Sequence, residues 1–123
     1  MSPLSLNCRP LPAGVLITVA GELDATNADH LESSVGRSRL PGGPLVLDLG
    51  GLTFMDSSGL HALLRVHADV RREGGALHLA AVQDLPARIL QITGVWDAMN
   101  IHAGVEEATT AILDHPTGRF GRT

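Results

Sequence analysis

Asp56-Ser57-Ser58-Gly59-Leu60 is the segment whose residue types and order point most directly to chemistry. A helical stripe starts there, with Leu60, Leu63, Leu64, His67 and Val70 recurring at three- and four-residue steps. The two serines therefore sit where a loop becomes a helix. One of them, most simply Ser57, is expected to be the N-cap, its hydroxyl accepting from a first-turn N–H. Ser58 then lies in the first turn with its hydroxyl free. A phosphate placed on it meets unpaired backbone N–H groups and the positive end of the helix dipole. It also brings about 1.5–2 negative charges beside Asp56. Such a modification need not unfold the domain, yet it inverts the surface a partner reads. The plainer alternative is that Asp56, Ser57 and Ser58 simply cap the helix, and spacing alone fits that better.

A second acidic turn, Gly21-Glu22-Leu23-Asp24, follows another strand-like run. In sheets built from alternating strands and helices, sites form at the carboxyl ends of the strands. The two runs are sequential, so Asp24 and Asp56 are expected to rim the same depression.

Other chemistries fit less well. A serine hydrolase needs a nucleophile elbow of the form G-x-S-x-G, but Met55 and Asp56 precede these serines. His61 and His67 are six apart, so they do not share a helix face as a metal pair four apart does, and no H-E-x-x-H occurs. His67 on the apolar stripe reads as a satisfied core or boundary residue. His30, His78, His102 and His115 suggest no cluster. Trp96 reads as a plug at the end of the core. With no catalytic set, no metal site and no cofactor motif, the chain is not expected to be an enzyme.

Composition excludes several classes. The chain has 123 residues, 44% of them hydrophobic and 18% charged, which is one ordinary globular domain. Cys8 is the single cysteine, so disulfide scaffolds and cysteine metal sites are out. The net charge is −4, every base is arginine, and aromatics are 2%. Nucleic-acid binding wants a basic stripe or stacking platforms, and neither is available. The absence of lysine removes the P-loop. No apolar run is long enough for membrane insertion. Met1 to Pro10 does not read as a signal peptide, so the expected location is cytoplasmic.

The elements that must position the serines read as β-β-α-β-α-β-α-β-α. Leu4, Leu6 and Cys8 alternate with polar residues, and Val15, Ile17 and Val19 do so after a Pro/Gly turn, which predicts an antiparallel hairpin. A helix follows, with Ala25, Ala28, Leu31 and Val35 inward and Asp24 or Thr26 as N-cap. Leu45 to Leu49 is apolar on both faces, hence a central strand, and Gly50 to Asp56 reads as a loop. Ala76 to Val82 is another strand. A third helix is capped by Asp84, with Leu85, Ile89 and Ile92 inward. Met99 and Ile101 form a short last strand before a helix with Val105, Ala108 and Ile112 inward. The expected fold is α/β: a mostly parallel sheet of about five strands, the first antiparallel, with about four helices. The domain is expected over residues 1–114, with 115–123 as a flexible tail.

Several segments resemble the STAS domain, a family named for sulphate transporters and anti-sigma factor antagonists. They are Val19-Ala20-Gly21-Glu22-Leu23-Asp24, Leu45-Val46-Leu47-Asp48-Leu49 and, most specifically, Asp56-Ser57-Ser58-Gly59-Leu60. Gly75 to Leu79 and Ile89 to Val95 are similar to the family's later segments. The resemblance implies a bacterial regulator of transcription that works by partner switching. It implies that Ser58 is phosphorylated by an ATP-dependent anti-sigma factor that is also a serine kinase. The unphosphorylated form would bind that partner and free a sigma factor, and a serine phosphatase would reset the phosphorylated form. Asp24, Asp56, Ser57, Ser58, Gly59 and His61 would make up the partner-binding surface. The sequence departs from the family at His61, where a small residue is common after Gly-Leu. The alternative role is a STAS module of a non-sigma system, such as a cytosolic subunit of a lipid or anion transport complex, or a signalling scaffold.

Overall fold

The structure is a computed structural model that describes residues 3–114; the tail expected from residue 115 onward lies outside them. Two strands open the chain, β1 (Ser5–Pro10) and β2 (Val15–Leu23). Then follow α1 (Ala28–Ser38), β3 (Leu45–Met55), α2 (Ser57–Arg72), β4 (Leu77–Ala80) and α3 (Asp84–Ile92). A single 3-10 turn at Val95–Ala98 leads to β5 (Asn100–His102) and α4 (Val105–Asp114). The strands form one sheet in the order β1-β2-β3-β4-β5. β1 is antiparallel to β2, and every other pair is parallel, as the alternation of elements predicts.

Alternation of side chains explains the layers. Val15, Ile17 and Val19 of β2, Leu45, Leu47 and Leu49 of β3, and Leu77 and Leu79 of β4 all point to one face. There they meet Leu31 and Val35 of α1, Leu63, Val66 and Val70 of α2, and Leu90 of α3. The intervening Leu16, Val46 and Ala80 point to the other face and pack against Ala108 and Ile112 of α4. The both-faced apolar run at Leu45 to Leu49 is thus the price of being covered on two sides.

Away from the helix caps, the structure departs from the sequence reading at four places. First, Gly50 to Met55 is strand, not loop: β3 continues beside an equally extended β2, with Leu52 and Met55 fully buried. The glycines read as loop signals mark bulges instead. The register shifts between Thr18 and Ala20 and between Gly21 and Glu22, and Gly21 has φ +101°. A Cβ on Gly51 would stand 2.8 Å from that of Ala20. Second, β4 is shorter than expected, ending at Ala80.

Third, α3 is rotated relative to the expected stripe. Asp84 is its first residue rather than its cap, Pro86 and Leu90 are buried, and Leu85 and Ile92 are exposed. In nine residues the 85/89/92 and 86/90 stripes are equally periodic, so contact with the sheet decides between them. Fourth, His78 and His102, which suggested no cluster, are brought together on adjacent strands with Nδ1 of one 2.9 Å from Nε2 of the other. His67 sits at the core boundary as expected, but its buried Nδ1 has no hydrogen-bond partner among the described residues. Trp96 packs against the main core, in keeping with a plug.

Candidate functional site

β2 and β3 run parallel to their carboxyl ends in register, with Leu23 opposite Met55. Each strand then turns into a helix, so Asp24 and Asp56 are the first residues past the ends of two adjacent strands. The Asp56 N–H donates to the Leu23 carbonyl at 3.3 Å, which ties the two turns together. Asp24 and Asp56 thus stand just past the ends of two adjacent strands.

The capping assignment is corrected. Asp56, not Ser57, is the N-cap of α2. Its Oδ1 accepts from the Ser58 N–H at 2.9 Å and from the Gly59 N–H at 3.2 Å. The reason is geometric: the longer strand carries the chain to Met55, leaving Asp56 in extended backbone while Ser57 already has helical geometry. Ser57 is exposed and Ser58 half-buried. The first-turn hydrogen bonds are made by the Asp56 carboxylate and by backbone N–H groups, not by the Ser57 or Ser58 hydroxyl. Both hydroxyls are thus left for other chemistry, and the helix N-terminus beneath them favours negative charge.

Gly59 is buried because the first turn of α2 lies directly on the strand ends. A Cβ there would come within 2.7 Å of Met55 Cγ and 2.9 Å of Leu23 Cγ. The small residue is therefore a packing requirement that brings Ser58 close to the sheet. His61 is exposed on the same helix, beyond the buried Leu60 and Ala62.

Asp24 does not cap α1, and neither does Thr26. The N-cap position is Asn27, whose side chain makes no cap bond. Instead Asn27 Nδ2 donates to the Glu22 carbonyl at 2.9 Å, and Asn27 Oδ1 accepts from the Asp24 N–H at 2.9 Å. Asp24 Oδ1 accepts from the Thr26 N–H and hydroxyl. This closed turn fixes the Asp24 carboxylate just past the end of β2. It also delays the helix to Ala28, leaving Ala25 exposed.

The sequence reading missed Phe54. It is register partner of Glu22, two residues before Asp56, and 38% exposed. A loop assignment for 50–56 hid it; the strand places it on the same end of the sheet as Ser57 and Ser58.

Among the described residues no group of three or more His, Cys, Asp or Glu side chains could hold a metal ion. No helix is long and apolar enough to cross a membrane among the described residues. The site thus offers hydroxyls over a capped helix N-terminus, two flanking carboxylates and an exposed aromatic.

Comparison with known proteins gives the family. The chain is 29% identical over 92 residues to an anti-sigma-B factor antagonist of Bacillus subtilis, covering 75% of this chain and 84% of the relative. Its fold is similar to the crystal structure of an anti-sigma factor antagonist from Mycobacterium paratuberculosis, with a TM-score of 0.82, 24% identity and coverage of 91% and 96% of the two chains. It is also similar to the Bacillus cell fate determinant SpoIIAA in its phosphorylated form, with a TM-score of 0.68, 20% identity and coverage of 88% and 99%. Residues 6–108, from the first strand through the start of the last helix, match the model of the STAS domain, and the chain belongs to that family.

Proposed function

We propose that this protein is an anti-sigma factor antagonist that works by partner switching, with Ser58 as its phosphorylated residue. The observation that carries the reading is the Asp56 cap. It satisfies the first-turn N–H groups and leaves the Ser58 hydroxyl uncommitted at the positive end of α2. In the unphosphorylated state the surface of Asp24, Asp56, Ser57, Ser58, Gly59 and His61 binds an anti-sigma factor serine kinase, and a sigma factor is freed. The Ser58 Oγ then attacks the γ-phosphorus of ATP, giving phosphoserine and ADP as the hydroxyl proton leaves. The new dianion stands beside Asp24 and Asp56, so the surface that fitted its partner becomes strongly acidic and lets go. A serine phosphatase restores the hydroxyl. All of this takes place in the cytoplasm.

The relatives support this role, since one is an antagonist of an anti-sigma factor and a structurally similar one exists in phosphorylated form. A transport-associated or scaffolding module makes no use of a free hydroxyl at this position. The test is a pull-down with the cognate kinase, with and without ATP. Wild-type protein is released on adding ATP, Ser58→Ala stays bound, and Ser58→Asp binds weakly from the start. Phosphorylation and release of Ser58→Ala protein would move the acceptor to Ser57 or elsewhere.

A further inference from the structure

At the amino ends of β4 and β5, the end of the sheet opposite Ser57 and Ser58, lies a cavity of about 230 Å³ that the switch does not use. Its walls include His67 and Arg71 of α2, Ala76 and Leu77 at the start of β4, and Asn100 at the start of β5. His67 and Arg71 are four residues apart, so the helix sets them on one face. Among the described residues no aspartate or glutamate lines this cavity.

Each polar side chain here brings a hydrogen-bond donor. Arg72 is held by Asp69 at 2.7 Å and Arg39 by Glu73 at 2.6 Å, whereas Arg71 makes no ion pair among the described residues. Asn100 Nδ2 donates one hydrogen to the Leu77 carbonyl at 3.0 Å and keeps a second. His67 is neutral near pH 7, because burial and then the Arg71 charge lower its pKa from 6.5. A neutral imidazole carries one N–H. The His67 Nδ1 is buried without a partner, and an unpaired N–H there would be costly, which assigns the hydrogen to Nε2.

We propose that this cavity binds a small oxyanion, a carboxylate or phosphate group, with Arg71 as its charged partner and His67 and Asn100 as neutral donors. Donors gathered around one cation, with no acidic side chain among them, select a ligand that is negative and rich in acceptors. The guanidinium fork matches two oxygens of either group. Ordinary small-molecule pockets measure about 300–1,000 Å³, so this smaller one restricts the ligand to a few heavy atoms. The negative end of the α2 dipole opposes an anion here, but that field is blunted. The Val70 and Arg71 carbonyls already accept from the N–H groups of Glu73, Gly74 and Gly75.

The experiment uses the nitrogen-15-labelled full chain at pH 7, with ionic strength held constant by sodium chloride. Inorganic phosphate and acetate are titrated separately while amide resonances are followed. Saturable shifts centred on His67, Arg71, Leu77 and Asn100 are expected. Saturation by phosphate alone would assign the site to phosphate esters, and by acetate alone to carboxylic acids; either upholds the proposal. Arg71→Gln should weaken binding at least about tenfold through loss of a charge-assisted hydrogen bond. His67→Gln should weaken it about two- to tenfold. Arg37→Gln, at an exposed arginine of α1, should bind as wild type does. Arg71 is itself exposed, and the amide spectrum of its variant shows directly that the fold is kept. No saturable shift with either anion, wild-type affinity in Arg71→Gln, or an equal loss in Arg37→Gln would overturn the proposal.

Discussion

Leu23 and Met55 face each other in register at the carboxyl ends of β2 and β3, and the Leu23 carbonyl accepts from the N–H of Asp56 at 3.3 Å. That pairing makes one rim of two turns. The same two side chains form the floor against which Gly59 is pressed, so the strand ends, the cap and the first turn of α2 are a single packed unit.

Gly59→Ala tests that unit. The added methyl group would be closer to Met55 and Leu23 than carbon contacts allow, and both neighbours are fully buried. Overpacking of this kind costs ~1–3 kcal/mol. Urea unfolding should show the loss, together with reduced phosphorylation of Ser58 as the first turn shifts. A variant as stable as wild type would mean that the helix start can slide on the strand ends.

The cap and the exposed serine beside it are separable. Asp56→Ala removes the acceptor of two first-turn N–H groups and should cost about 0.5–2 kcal/mol. Ser57→Ala, at an exposed position without that role, should stay within roughly 0.5 kcal/mol of wild type. Chemical denaturation of the two variants side by side checks the assignment, and the reverse order would restore Ser57 as the cap.

Docking and stability should divide among three residues. His61→Ala and Phe54→Ala alter exposed positions, so melting should change little. Partner binding should weaken, and loss of an aromatic anchor typically costs more than ~1 kcal/mol. Asp24→Ala differs, because its carboxylate holds the Thr26 N–H and hydroxyl in the turn. It should lose both binding and about 1 kcal/mol of stability. Calorimetric melting and partner titration on the three variants read this out. Unchanged binding for Phe54→Ala would place the apolar contact elsewhere.

Acid should weaken the fold before its carboxylates titrate. Burial, with a smaller contribution from His102, lowers the His78 pKa from 6.5 to about 4. Burial and the Arg71 charge lower that of His67 as well. A lowered histidine pKa means that the unfolded chain takes up a proton the folded protein refuses. The stabilising contribution of neutral His78 is therefore full above pH 6.5, falls as the pH drops, and is exhausted near pH 4. A lower window follows for Glu32 and Glu73, whose arginine hydrogen bonds lower their pKa below 4.5. Urea midpoints at pH 7, 6 and 5 should decline, and His78→Gln should flatten the slope. An equal slope in that variant would assign the effect to other groups.

Much of this protein is determined by local pattern. The period-2 runs, the helical stripes and the both-faced apolar strand depend on which residues are buried, and that is written along the chain. They led to the element order, the antiparallel first strand and the serine pair at a helix start. The tertiary structure decided the rest, where residues distant in sequence compete for one position. Gly50 and Gly51 look like a loop until Ala20 lies beside them and turns the irregularity into a bulge within a continuing strand. That extension moved the cap from Ser57 to Asp56 and brought Phe54 to the rim. On α3, two stripes fit one periodicity, and only the sheet beneath it selected Leu90 over Leu85 and Ile92. His78 and His102 are 24 residues apart, and no spacing rule joins them. Their meeting depends on which strand lies beside β4 and in what register, an energy shared by the whole sheet rather than held in any segment of it.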